Sequence, residues 1–114
     1  EQRREAGEAV EPIPLPVLAK LLSAEPARLF GLYPQKGAVL PGSDADLLIY
    51  DPQPEVVLQA EQMHTVAGYT PYEGITVKGQ VRTVISRGAV LVHEGELRGE
   101  AGRGRFLRGK PFAP

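Results

Sequence analysis

Gln80-Val81-Arg82-Thr83-Val84-Ile85-Ser86, then Arg87-Gly88, Ala89-Val90-Leu91-Val92-His93, Glu94-Gly95 and Glu96, is the stretch that decides the fold. Two runs rich in β-branched residues each end in a two-residue step closed by glycine, which is what a tight hairpin turn needs. The pattern predicts an antiparallel meander from Gln80 onward, with turns at Arg87-Gly88 and Glu94-Gly95. Upstream, the apolar run from Ala45 to Tyr50 is stopped by Asp51-Pro52 and reads as a strand buried on both faces. Ala38-Val39-Leu40, bracketed by Gly37 and Pro41-Gly42, and Val56-Val57-Leu58 are two further short extended pieces. Residues 59–74 hold Gly68, Pro71 and Gly74, show no clear period, and read as a loop.

Ahead of Gly37 the period is helical. Ile13, Val17, Leu18, Leu21 and Leu22 stand three and four apart and share one face, with Lys20 and Arg28 on the outer side. Pro14 or Pro16 suits a first turn, where a missing N–H costs nothing. Ser23 reads as the N-cap of a second short helix that tolerates Pro26 in its opening turn and stops at Gly31. The zone is therefore a helix, a break and a helix.

A length of 114 residues allows one small domain with a modest core. Thirteen basic and 14 acidic side chains leave a net charge of −1, which argues against a dedicated nucleic-acid binder. No apolar run approaches the ~20 residues of a membrane span, and the opening EQRREAGEAV lacks the apolar core of a signal peptide. The absence of cysteine removes disulfides, thiolate metal sites and cysteine nucleophiles, and a cytoplasmic setting is expected. Charge is unevenly placed: Arg98, Arg103, Arg105, Arg108 and Lys110 crowd the glycine-rich tail against Glu100 alone. That tail is expected to lie extended on a surface.

Few residues recommend themselves for chemistry. Asp44 and Asp46 alternate as carboxylates do in calcium loops, but the further oxygen ligands of such loops are missing. Asp44 is read as capping a turn and Asp46 as bonding backbone amides at a strand entrance. His93 ends a strand and is read as a strand-edge residue. His64 shares a loop with Tyr69, Tyr72 and Glu73, a group suited to lining a pocket or packing on a partner domain. Neither histidine has a second histidine or an activated nucleophile beside it in sequence, and no His-x-His or His-Glu-x-x-His pair exists. The tail could touch phosphates through arginine forks and open glycine backbone, although only Phe106 and Phe112 offer stacking surfaces there.

Longer motifs carry a resemblance. Ala24-Glu25-Pro26-Ala27-Arg28-Leu29-Phe30-Gly31-Leu32-Tyr33-Pro34-Gln35-Lys36-Gly37 and Gly42-Ser43-Asp44-Ala45-Asp46-Leu47-Leu48-Ile49-Tyr50-Asp51-Pro52 resemble the C-terminal signature of the cyclic amidohydrolases. Tyr72-Glu73-Gly74, Val77-Lys78-Gly79, Thr83-Val84-Ile85-Ser86-Arg87-Gly88 and Gly102-Arg103-Gly104-Arg105-Phe106-Leu107 are most similar to the hydantoinase and dihydropyrimidinase branch. The likeness runs from about Pro12 to Phe112.

The resemblance implies a fold that is mainly β with N-terminal helices. It would be a partial β-sandwich preceded by the last helices of a (β/α)8 barrel that this chain lacks. The expected divisions are a polar lead-in at 1–11, the end of a barrel at 12–36, sandwich strands at 37–97 and a basic docking tail at 98–114. Family members are zinc-dependent hydrolases of cyclic amides. Their metal site comprises a His-x-His pair, a carboxylated lysine, two more histidines and an aspartate, all from the barrel, so no catalytic, cofactor-binding or metal-ligating residue maps onto this sequence. The chain is thus expected to be inactive by itself, a C-terminal fragment or split subunit giving scaffold and oligomer contacts. Residues on which that role would rest are Asp44, Asp46, Gly88, Gly95 and Phe106. Its expected partners are further copies of itself or a separate barrel-containing chain, with neither nucleic acid nor membrane. The alternative is a free-standing β-rich interaction module without catalysis.

Overall fold

The computed structural model describes residues 12–111, so the polar lead-in at 1–11 and Phe112 lie outside the described residues. The described residues divide into two compact units, one formed by 12–43 together with 107–111, the other by Asp44–Phe106.

In the first unit, α1 (Leu15–Ala19) has Pro16 in its first turn behind an N-cap at Pro14. It runs through a π-helical turn, Lys20–Ala24, into α2 (Glu25–Leu29). Ser23 is therefore not an N-cap. It lies inside the π turn, and the expected break is a widening of one continuous helix. Pro26 explains the widening. It has no N–H to give, and its ring would collide with the carbonyl four residues back in regular α geometry. The Glu25 N–H reaches instead to the Lys20 carbonyl. Gly31 ends the helix at φ +67, with Gly31 N–H on the Arg28 carbonyl (3.1 Å) and Leu32 N–H on that of Ala27 (2.7 Å). This pair of bonds satisfies two carbonyls that the last turn would otherwise orphan.

The second unit is one antiparallel sheet in the order β1-β2-β3-β4: β1 (Leu47–Val57), β2 (Thr76–Ser86), β3 (Ala89–His93) and β4 (Glu96–Leu97). Both expected turns are present. Arg87 and Gly88 have φ +46 and +79, and Glu94 and Gly95 have φ +47 and +81, the doubly left-handed geometry that matches strand twist. Ala38-Val39-Leu40 joins no strand. The stop expected at Asp51-Pro52 is absent, because Val56 and Val57 belong to the same strand as Leu47. Between Asp51↔Gln80 and Glu55↔Lys78 the register slips by two residues, confining Pro52 and Pro54 to a bulge where their missing donors break no ladder bond. Strand β2 likewise begins at Thr76, four residues earlier than the meander pattern indicates.

A second slip, between Ile49↔Thr83 and Tyr50↔Val81, leaves Arg82 as the extra residue on β2. Beside it Tyr50 lies over Gly79, whose φ is +107, and its hydroxyl donates to the Lys78 carbonyl at 3.3 Å. A Cβ at position 79 would overlap the Tyr50 phenol.

The expected core is not assembled among the described residues. Among the described residues only Ala27 and Thr83 are buried. Leu48 at 60% and Ile49 at 53% exposure are neighbours on a strand and so face opposite ways, and both sides of β1 are open. The run Leu47–Tyr50 has the composition of a strand covered on both faces, but the described residues supply neither cover. The helical unit repeats the pattern: Ile13, Val17, Leu21, Leu22 and Phe30 are all exposed. A helix apolar over so much of its surface is one made to be packed upon.

Gly79→Ala is expected to lower stability by about 2 kcal/mol or more, because it adds both left-handed strain and a clash with Tyr50. Urea denaturation followed by circular dichroism checks this, with Tyr50→Phe, which loses only the 3.3 Å bond, as the milder reference.

Candidate functional site

The polar groups of the sheet gather at two places. At the β2–β3 turn, the Asp46 carboxylate accepts the Arg87 N–H at 2.7 Å, and the Gly88 N–H donates to the Ala45 carbonyl at 3.0 Å. Asp46 is therefore an amide acceptor at the strand entrance, tying β1 to a turn 41 residues away. Asp44 adjoins it through its own carbonyl, which takes the Asp46 N–H at 2.8 Å. The Arg87 guanidinium donates to the Arg103 carbonyl, and Arg103 returns a bond to the Ser86 carbonyl at 3.2 Å. The tail thus folds onto the turn of its own sheet.

The second place centres on Arg82, the residue bulged from β2. Its two terminal nitrogens divide between Asp51 (3.2 Å) and Glu94 (2.9 Å), linking β1 to the β3–β4 turn. The Asp51 carboxyl is held below its ordinary 3.8, first by the Gln53 N–H it accepts at 3.1 Å and then by Arg82. The Arg82 guanidinium is pushed up, chiefly by its bond to Asp51 and by the charge of Glu94. Next to this triad, the buried Thr83 hydroxyl and His93 Nδ1 share a 3.0 Å bond. His93 sits on a strand flanked on both sides, β2 and β4, so its place is inside the sheet order and not at an outer edge.

Glu73 accepts the Ala60 N–H at 2.7 Å and so closes the base of the loop at 59–74, where Leu58 also pairs with Ile75 and Gly74. His64, Tyr69 and Tyr72 are exposed. Phe106 is exposed as well, at 90%.

A zinc centre of the kind the resemblance implies needs several imidazoles and carboxylates converging on one point. Among the described residues no three His, Cys, Asp or Glu side chains do so. His64 points from a loop, His93 is engaged with Thr83, and Asp46 is spent on an amide. The donor set described here does not fit such a centre. No helix among the described residues is long and apolar enough to cross a membrane.

Comparison with known proteins settles the family. Residues 7–91 match the model of the Amidohydrolase family. The chain belongs to that family. Its relatives include D-phenylhydantoinase of Escherichia coli O1:K1, 49% identical over 102 residues that make up 90% of this chain and 22% of that protein. The crystal structure of dihydropyrimidinase from Brevibacillus agri NCHU1002 superposes with a TM-score of 0.85 at 39% identity, covering 90% of this chain and 22% of that one. L-hydantoinase from Arthrobacter aurescens gives 0.80 at 38% identity, covering 84% and 21%. This amidohydrolase chain therefore spans about a fifth of the length of the relatives it matches.

Sequence reasoning singled out Asp46 correctly and missed the Arg82 triad, whose members are separated by 31 and 12 positions. The only local signal was a lone arginine inside an apolar strand.

Two outcomes are expected. Asp46→Ala strands the Arg87 N–H and should cost about 1 kcal/mol in urea denaturation while leaving the metal content of the purified protein unchanged. Because the Asp51 carboxyl lies below its ordinary range, its contribution is complete above about pH 5 and is lost as pH falls through the depressed value. Acid denaturation of Asp51→Asn should accordingly show a flatter dependence on pH below about pH 4 than the parent chain.

Proposed function

We propose that the chain is the C-terminal part, or a separate subunit, of a metal-dependent hydantoinase/dihydropyrimidinase-like enzyme that hydrolyses the C–N bond of a cyclic amide. In this reading it supplies a sheet of a composite β-sandwich, the closing helices of a barrel and contacts for an oligomer. The zinc ligands and catalytic groups come from a barrel outside residues 12–111, and the setting is cytoplasmic.

The observation that carries the reading is the 49% identity to D-phenylhydantoinase concentrated on 22% of that protein. Its physical support is the open apolar surface of both units. Leu48 and Ile49 open on opposite faces of β1, and Leu21, Leu22 and Phe30 leave the helix uncovered. Strand β1 also has no neighbour on its outer side among the described residues, leaving backbone donors and acceptors, interrupted at Pro52 and Pro54, for another strand. Burial of such surface against a partner stabilises by about 25 cal/mol per Å². The exposed loop tip with Val66, Tyr69 and Tyr72 adds apolar and aromatic contact area of the type enriched at interfaces.

Native mass spectrometry of the protein from its source cells tests this. The expected result is a zinc-containing species that includes a barrel of roughly 250–400 residues, on the same chain or a second one. Species at multiples of 12.3 kDa alone, without metal, would instead establish the free-standing interaction module.

A further inference from the structure

Arg87, Gly102, Arg103, Gly104 and Arg105 line a hollow of 410 Å³ where the tail meets the β2–β3 turn. All five belong to the unit Asp44–Phe106. Three arginines line this space and no acidic residue does. Three of the other described arginines are matched with acids, Arg28 with Glu25, Arg82 with Asp51 and Glu94, and Arg98 with Glu96, and Arg108 of the exposed tail is not. In the hollow none of the three is. Arg87 and Arg103 are half-buried and hold each other in place through neutral acceptors, the Arg103 and Ser86 carbonyls. The Asp46 carboxylate is close by, but it accepts the Arg87 backbone N–H and is not part of the lining. Arg105 is exposed and has neither a hydrogen bond nor an ion pair among the described residues.

Two guanidiniums fixed beside each other without a counter-charge repel, and removal from bulk water strengthens that repulsion. Here the geometry is imposed by backbone acceptors and persists regardless. A third cation beside the pair only adds to the unmatched charge. The glycines work in the same direction: Gly102 has φ +81, and a Cβ at Gly102 or Gly104 would meet nothing within 4 Å, so the backbone lies open to the space. A tetrahedral oxyanion satisfies all of these features together, because planar guanidinium forks bind its oxygens in pairs.

We infer that this hollow is a binding site for a small phosphate-type oxyanion, taken either as free phosphate or as a phosphate monoester. A polynucleotide is disfavoured, since the chain carries a net charge of −1 and Phe106 is the lone aromatic residue of the described tail. The inference is independent of the hydrolase reading, because every lining residue lies in the sheet unit.

Calorimetric titration of the full chain, in the assembly in which it purifies and at ionic strength held constant with sodium chloride, tests the site. Inorganic phosphate is expected to bind one per chain with Kd of about 1 mM or tighter. Arg105→Gln, which removes a side chain that holds nothing else, should weaken binding at least about tenfold with an unchanged circular dichroism spectrum. Arg98→Gln, whose arginine pairs with Glu96 away from the lining, should leave it unaltered. A parallel titration with glycerol 3-phosphate distinguishes the sources: tighter binding than phosphate assigns an ester, weaker binding the free ion. Absence of saturable heat would overturn the inference. So would equal affinity in Arg105→Gln, or an equal loss in Arg98→Gln, which would mark unspecific charge screening.

Discussion

The Asp46 carboxylate on the Arg87 N–H is the contact from which the sheet takes its register. A hairpin such as β2–β3 sets its own pairing through its turn, but β1 comes from far along the chain and has no turn to align it. Shifting β1 by one residue would reverse every side chain from one face to the other. Asp46 pins the start of β1 to the β2–β3 turn, and Arg82 bridges Asp51 to Glu94 at the other end of the short ladder. Between these two ties lies the apolar run Leu47–Tyr50. Both ties join polar groups at the margins, and within the run only the Tyr50 hydroxyl is polar.

That economy has a consequence for the chain as a whole. No buried side-chain nitrogen or oxygen lacks a partner among the described residues, whereas apolar order is scarcely begun. Sheet and helix each have well-made ends, from the paired left-handed turns to the closure at Gly31, while their broad faces stay open. Secondary structure of this quality with so little interior leaves the apolar faces of both units open among the described residues. The chain matches the Amidohydrolase family over residues 7–91 and spans 22% of the length of D-phenylhydantoinase.

Bulges do much of the positioning. The slip at Pro52–Pro54 lets β1 continue past residues that cannot donate, and the slip at Arg82 turns a charged side chain out of an apolar strand toward two acids. Tyr50 over Gly79 sits between them, where only a residue without a Cβ admits the ring. None of these devices has a periodic signature, which is why Asp51-Pro52 reads as a strand end and Val56-Val57 as a separate strand.

What the sequence determined by itself is local. Gly31 after a helical period, Arg87-Gly88 and Glu94-Gly95 between β-branched runs, and the carboxylate of Asp46 at a strand entrance all act within a few residues, where backbone sterics and a single hydrogen bond decide the outcome. Tertiary structure alone decided which amide Asp46 would meet, that Arg82 would find Asp51 and Glu94, and that three arginines would share one hollow without an acid. Those outcomes depend on pairings across 12 to 41 positions. Spacing along a chain carries no record of such pairings, because many registers satisfy the same apolar pattern and only packing with bulges selects one.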